Sequence, residues 1–183
     1  SRVVDRSIRS LFEDEMRHDV HVVTTVLAVD QVHLPNVLAI NAASAALTIS
    51  DIPWAGPVGA VRMGRVDGNL LVNPTEQQME SSDLDLLVAG HADGITMVES
   101  GSRELSEETL IDALEIAHGE IRKIVGLQLR MREEIGLEKI VLPRPERIPE
   151  IDEWMHRELD ADIRAAVKIH EKKPRNDAIR DAK

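Results

Sequence analysis

Hydrophobic and polar positions alternate most clearly in Asp83-Leu84-Asp85-Leu86-Leu87-Val88-Ala89-Gly90, where Leu84, Leu86 and Val88 share one face. The two-residue period predicts a strand with a core face and a second, more polar face. Gly90 and Gly94 bracket His91-Ala92-Asp93, so a hairpin into Ile95-Thr96-Met97-Val98-Glu99-Ser100 is expected. Asp85 stands in mid-strand, where a carboxylate loses hydration unless a cation, a metal or hydrogen-bond donors meet it.

Upstream, Val4, Ile8, Leu11 and Phe12 recur at helical steps within residues 1–12, and Arg2, Arg6 and Arg9 recur at the same steps on another face. The β-branched run Val20–Val29 predicts a strand covered on both faces and central in its sheet. Pro35 to Ser50, rich in small residues, predicts a helix with Leu38, Ala42, Ala45 and Ile49 on its buried face. Val58–Met63 then reads as a strand, turned back by Asp67-Gly68 into Asn69–Val72. A turn at Asn73-Pro74-Thr75 leads into a short polar helix ending near Ser82.

Ser106 is a suitable helix N-cap, with Glu107 and Glu108 in the first turn and Leu110, Leu114, Ala117, Ile121 and Ile124 as the buried face. The pattern fades near Gly126, and Leu142-Pro143-Arg144-Pro145-Glu146-Arg147-Ile148-Pro149 marks a boundary. Beyond it Ile151, Met155, Leu159, Ile163, Val167 and His170 share a helical face until Pro174. The expected organisation is an α/β core over residues 1–125, a linker over 126–149 and a helical segment over 150–183.

Composition narrows the chemistry. Cysteine is absent, which excludes disulfides and cysteine-ligated zinc, and no apolar run approaches the roughly 20 residues of a membrane span. His18 and His21 have no third ligand at usable spacing and are assigned no chemistry. Only Phe12, Trp54 and Trp154 are aromatic, so no row of stacking rings serves single-stranded nucleic acid. The net charge of -11 is uneven: three Arg oppose one Asp in residues 1–12, whereas three basic residues oppose thirteen acidic ones in residues 13–100. Any contact with a phosphate backbone is therefore confined to basic spots such as Arg2, Arg6 and Arg9.

Four stretches, in order, carry a resemblance: Ser1–Phe12, Ala39–Leu47, Gly56–Arg62, and Asp83–Gly90 with Met97-Val98-Glu99-Ser100. Together they resemble the first RNase PH-type core of the polynucleotide phosphorylase family, phosphate-dependent 3′-to-5′ exoribonucleases. The resemblance implies an α/β (α+β) RNase PH-like core with mixed sheets packed against helices, followed by the start of an all-helical domain. It also implies a first helix, with Arg2, Arg6 and Arg9, that flanks single-stranded RNA.

The family's catalytic second core uses a serine-rich loop leading into a helix, two aspartates six residues apart, and a lysine two residues after the second. The matching loop here is Ala39-Ile40-Asn41-Ala42-Ala43-Ser44, with Met79 at the first aspartate, Asp85 at the second and Leu87 at the lysine. Methionine does not bind magnesium, and leucine offers nothing to a phosphoryl oxygen. The expectation is a non-catalytic core with no metal of its own; a shifted metal site from Glu80, Asp83 and Asp85 is the alternative. What the resemblance implies for the parent enzyme is RNA phosphorolysis with magnesium and inorganic phosphate, release of nucleoside diphosphates, a homotrimeric ring, a cytoplasmic location and membership of an RNA-degradation complex. Two other readings are a catalytically silent ring subunit of an exosome-type assembly and an acidic protein-binding adaptor.

Overall fold

Strands β1 (Gly59–Val66), β2 (Asn69–Val72), β3 (Leu84–His91) and β4 (Gly94–Ser102) form one antiparallel sheet in the order β2-β1-β3-β4. The computed structural model describes residues 2–143 and 148–182, which fall into two units, Ser1–Leu142 and Pro143–Lys183. Asp67 and Gly68 both take positive φ, 48° and 81°, which lets a two-residue turn follow the twist of β1 and β2 and sets Val66 opposite Asn69. On β3, Val88 lies between Val61 of β1 and Val98 of β4, and β3 and β4 form the expected hairpin.

Helices cover both faces of the β1–β3 pair. Val61, Met63, Leu84, Leu86 and Val88 pack against Ala113, Ala117, Ile121 and Val125 of α4 (Glu107–Ile135). A Cβ on Gly59 would lie 2.9 Å from the Ile121 carbonyl oxygen, so the small residue lets α4 rest on the β1 backbone. On the other face Ala60, Leu87, Ala89 and Met97 meet Ile40 and Leu47 of α2 (Pro35–Ile49) and Ile8 of α1 (Arg2–Ile8). Trp54 anchors the first helix, its indole Nε1–H donating to the Ile8 carbonyl at 3.0 Å while Phe12 packs beside its ring. A 3₁₀ turn, Arg9–Leu11, follows α1.

A buried polar junction ties α2, α4 and the start of β1 together. Ser44 Oγ donates to Gln128 Oε1 at 2.6 Å and accepts from the Val58 N–H at 2.8 Å, and Gln128 Nε2 donates to the Val58 carbonyl at 2.8 Å. Asn41, one turn earlier on α2, pairs its amide with both the N–H and the carbonyl of Ala60. These bonds satisfy groups that burial would otherwise leave without water.

The structure corrects five expectations. Residues 20–29 form no strand, and Val23 is 84% and Leu27 91% exposed. β-branched composition favours extension, but a strand exists only where a second backbone supplies the ladder, and none of the described residues does. On α2 the buried residues are Ile40, Ala43, Ser44, Leu47 and Thr48, and Leu38 is exposed, because this helix is apolar nearly all round and hides a serine in a hydrogen-bonded junction. Helix α4 does not end near Gly126 but continues to Ile135, its inner face running through Val125 and Gln128.

Residues 136–142, expected in a linker, instead fold back on the C-terminal end of α2. The N–H groups of Leu137 and Ile140 donate to the carbonyls of Ile49 and Asp51, both at 2.8 Å. Lys139 Nζ donates to the carbonyls of Leu47 and Ser50 at 2.7 and 2.6 Å, supplying donors that the helix end lacks. Burial, with Arg132 nearby, holds this ammonium below the usual lysine range. Residues 144–147, also in the expected linker, lie outside the described residues.

In the second unit α5 (Pro149–Val167) starts with proline in its first turn, packs against α6 (Lys172–Ala182) and buries Ala166. Here lies the fifth correction: Pro174 does not interrupt a helix but sits in the first turn of α6, where its missing N–H has no intrahelical acceptor.

Replacing Gln128 by Ala strands the Ser44 hydroxyl and the Val58 carbonyl in the core, and a loss of roughly 2–3 kcal/mol is expected. Urea unfolding of the chain checks this, with Glu134→Ala on the exposed side of α4 as the comparison. A loss below about 0.5 kcal/mol, no larger than an ordinary surface substitution, would show that the junction contributes nothing.

Candidate functional site

Two regions carry candidate chemistry. The first is the arginine face of α1. Arg2 is exposed and makes no ion pair among the described residues. Arg6 reaches β4, donating to Glu99 Oε2 at 2.8 Å and to the Val98 carbonyl at 3.3 Å. Arg9 grips Asp5 one turn back through Nε and Nη2, at 2.9 and 2.7 Å, and this hydrogen bond strengthens its hold on the proton. Arg2 and Arg6 lie on α1 and Arg9 in the 3₁₀ turn that follows it, and two of the three charges already face carboxylates. The bond to Val98 also places a cation on the free edge of β4, a means of discouraging strand addition.

The second region surrounds Asp85. Its carboxylate meets Arg62 of β1 in a two-point contact, Nε to Oδ1 at 2.7 Å and Nη2 to Oδ2 at 2.5 Å, with the arginine side chain 15% and the aspartate 46% exposed. The mid-strand carboxylate thus has its counter-ion, and parallel guanidinium bonds also fix its orientation. Beside it, Asp83 pairs with Arg65 at 2.8 Å. Leu87, two residues along β3, is buried in the core against α2. Met79, on α3 (Glu76–Ser81), sends its sulfur 3.2 Å from where a Cβ on Gly64 would stand.

These residues do not fit a divalent cation. Both Asp85 oxygens are taken by Arg62, Met79 and Leu87 bring no oxygen, and no group of three His, Asp or Glu able to hold a metal occurs among the described residues. Nor does the stretch before Ser44 form a phosphate cradle: the Ser44 hydroxyl is spent inside the fold, and Asn41 is spent on Ala60. Arg62 borders an open groove of about 680 Å³ with Asn41, Asn73, Leu38 and His33. His33 is held by Asp30, whose carboxyl lies well below the usual range because the His33 ring, then the His33 and Val32 N–H groups, bond to it. His18 and His21 are exposed on the segment before α2.

Arg62 is the residue that sequence reasoning missed. Its partial signal was a lone cation in the apolar stretch Val58–Met63, but β1 and β3 are not consecutive strands, and only the antiparallel pairing of the fold sets Arg62 beside Asp85.

The site is thus set in an antiparallel sheet with α4 on one face and α1 and α2 on the other, Leu87 buried and Asp85 sealed by Arg62 on the interior strand β3. Residues 1–53 match domain 1 of the 3′ exoribonuclease family and residues 56–120 match domain 2. The chain belongs to the 3′ exoribonuclease family. Among curated relatives it is 45% identical over its full 183 residues to a polyribonucleotide nucleotidyltransferase of Halothermothrix orenii, covering 26% of that protein. It is 43% identical, again over its full length, to that of Geobacillus kaustophilus, covering 25%, and 48% identical over 150 residues, 82% of the chain, to that of Thermus thermophilus, covering 21%. The chain thus spans about a quarter of the length of the curated relatives it matches.

The Arg62–Asp85 pair is expected to couple by about 1.5 kcal/mol in a double-mutant cycle of Arg62→Met and Asp85→Asn, since charged hydrogen bonds exceed neutral ones but half of the aspartate faces water. A coupling near zero in thermal or urea unfolding would reduce it to an ordinary surface pair.

Proposed function

We propose that this chain is part of the non-catalytic first core of a polynucleotide phosphorylase, a phosphate-dependent 3′-to-5′ exoribonuclease acting in mRNA degradation. In this reading a separate second core, with magnesium and inorganic phosphate, cleaves RNA and releases nucleoside diphosphates. The first core shapes the ring of a cytoplasmic homotrimer and guides single-stranded RNA along Arg2, Arg6 and Arg9. The observation that carries it is the closed state of the Asp85 site: Leu87 fills the core where an ammonium is needed, and Arg62 occupies the only matching carboxylate. The identity that runs through the helical segment to the end of the chain favours this reading over a ring subunit of an exosome-type assembly.

Incubated with RNA, phosphate and magnesium, the chain by itself is expected to release no nucleoside diphosphate. Robust release that vanishes in Asp85→Asn would establish the shifted metal site instead. The arginine face is tested by changing Arg2, Arg6 and Arg9 together to Gln in the full-length parent enzyme. Each phosphate that the protein no longer neutralises lowers the slope of log affinity against log salt by about 0.7 for single strands, so a fall of up to roughly 2 is expected. An unchanged slope would make the arginines a solvated surface.

A further inference from the structure

We propose a second polyanion-binding surface, on the turn between α5 and α6, that takes the sugar-phosphate backbone of single-stranded RNA without regard to sequence. Its RNA partner rests on the function proposed above; the surface itself does not.

The chain is acidic as a whole, at -11, yet residues 164–182 carry six Lys and Arg against three Asp and Glu. Residues 149–163, immediately before, carry one against six. The reversal falls where α5 hands over to α6. Lys168 caps the C-terminus of α5, and Lys172 and Lys173 open α6. All three are exposed and make no ion pair among the described residues, whereas Arg164 and Arg180 are paired with Asp160 and with Asp177 and Asp181. Helix stability does not account for Lys172 and Lys173, because lysines in a first helical turn oppose the helix dipole. The one carboxylate among them, Glu171, is exposed and bridges to none of the three lysines.

The turn is held in shape. Arg175 Nη1 donates to the carbonyls of Ile169 and His170, each at 3.3 Å, and Ala166 is buried beneath. Three ammoniums on flexible stems above a fixed turn suit a chain of phosphates, which needs point charges and no shaped pocket. A protein partner that binds stably needs a desolvated apolar centre, and the turn offers only Val167 as an exposed large apolar residue. Ile151, Trp154 and Met155 lie near the other end of α5, on the order of 20 Å along the axis from Lys168.

The test uses the 183-residue chain and a fluorescent single-stranded oligoadenylate, with anisotropy recorded between about 50 and 200 mM salt. Changing Lys168, Lys172 and Lys173 together to Gln keeps helix propensity close to its original value, and circular dichroism verifies that α5 and α6 persist. The slope of log affinity against log salt is expected to fall by about 2, so the original chain loses roughly 16-fold more affinity than the variant across that range. The same three positions changed to Arg should keep the original slope. Unchanged affinity and slope in the Gln variant, or no oligoadenylate binding by the original chain at the lowest salt, would overturn the proposal. So would preferential binding of polyglutamate, which would mark an acidic protein as the partner. Measured in parallel, Arg2, Arg6 and Arg9 changed to Gln separate the two surfaces: a weakening confined to that variant removes this proposal and leaves the arginine face standing.

Discussion

Burial of both faces of the β1–β3 pair is the constraint on which the rest of the first unit depends. Two adjacent strands sandwiched between α2 and α4 admit side chains from alternate positions into two separate cores, so Val61, Met63 and Val88 serve one while Ala60, Leu87 and Ala89 serve the other. Any polar group drawn into this sandwich must bring its own partner, because water is excluded. The fold answers with paired devices: Arg62 with Asp85, Asn41 with Ala60, and the Ser44–Gln128–Val58 junction. Each spans two elements, so each also fixes where those elements sit.

The same constraint acts on position 87. A lysine at position 87 would have to place its ammonium among Ile40, Leu47 and Met97, where desolvation favours the neutral amine. Leucine there is what the packing prefers. Asp85 is two residues nearer the strand start and half in water, and the neighbouring strand supplies a guanidinium that contacts both of its oxygens. A serine that in a catalytic core would serve phosphate is here drawn inward and used as mortar between helices.

Charge is organised by a different rule. In an acidic chain, cations near carboxylates make ion pairs, and Arg6, Arg9, Arg62 and Arg65 all do so. A cation without such a partner is available to an external anion. Arg2 and the lysines of the α5–α6 turn are of that kind among the described residues. Salt-dependent binding is their natural signature, since exposed charges act through the screened field of the surface.

Much of this was legible in the residues. The hairpin at Asp67-Gly68, the 84–102 hairpin, the Ser106 cap and the Leu110–Ile124 face follow from local rules of turn chemistry and periodicity. Tertiary structure decided what depends on a partner distant in sequence. Val20–Val29 has the composition of a strand, but pairing is a property of two segments, and one segment cannot declare it. The buried face of α2 was hidden because a helix apolar on every side shows no direction, and Ser44 counts as polar until Gln128, 84 residues away, satisfies it. Gly126 and the polar residues around it suggested an end to α4, whereas packing against α2 carries the helix to Ile135 and seats Lys139 on carbonyls 89 and 92 residues earlier. Short-range sterics and periodicity set local conformation from the residues themselves; only the folded chain decides which polar groups meet, because their energies depend on neighbours that the fold itself assembles.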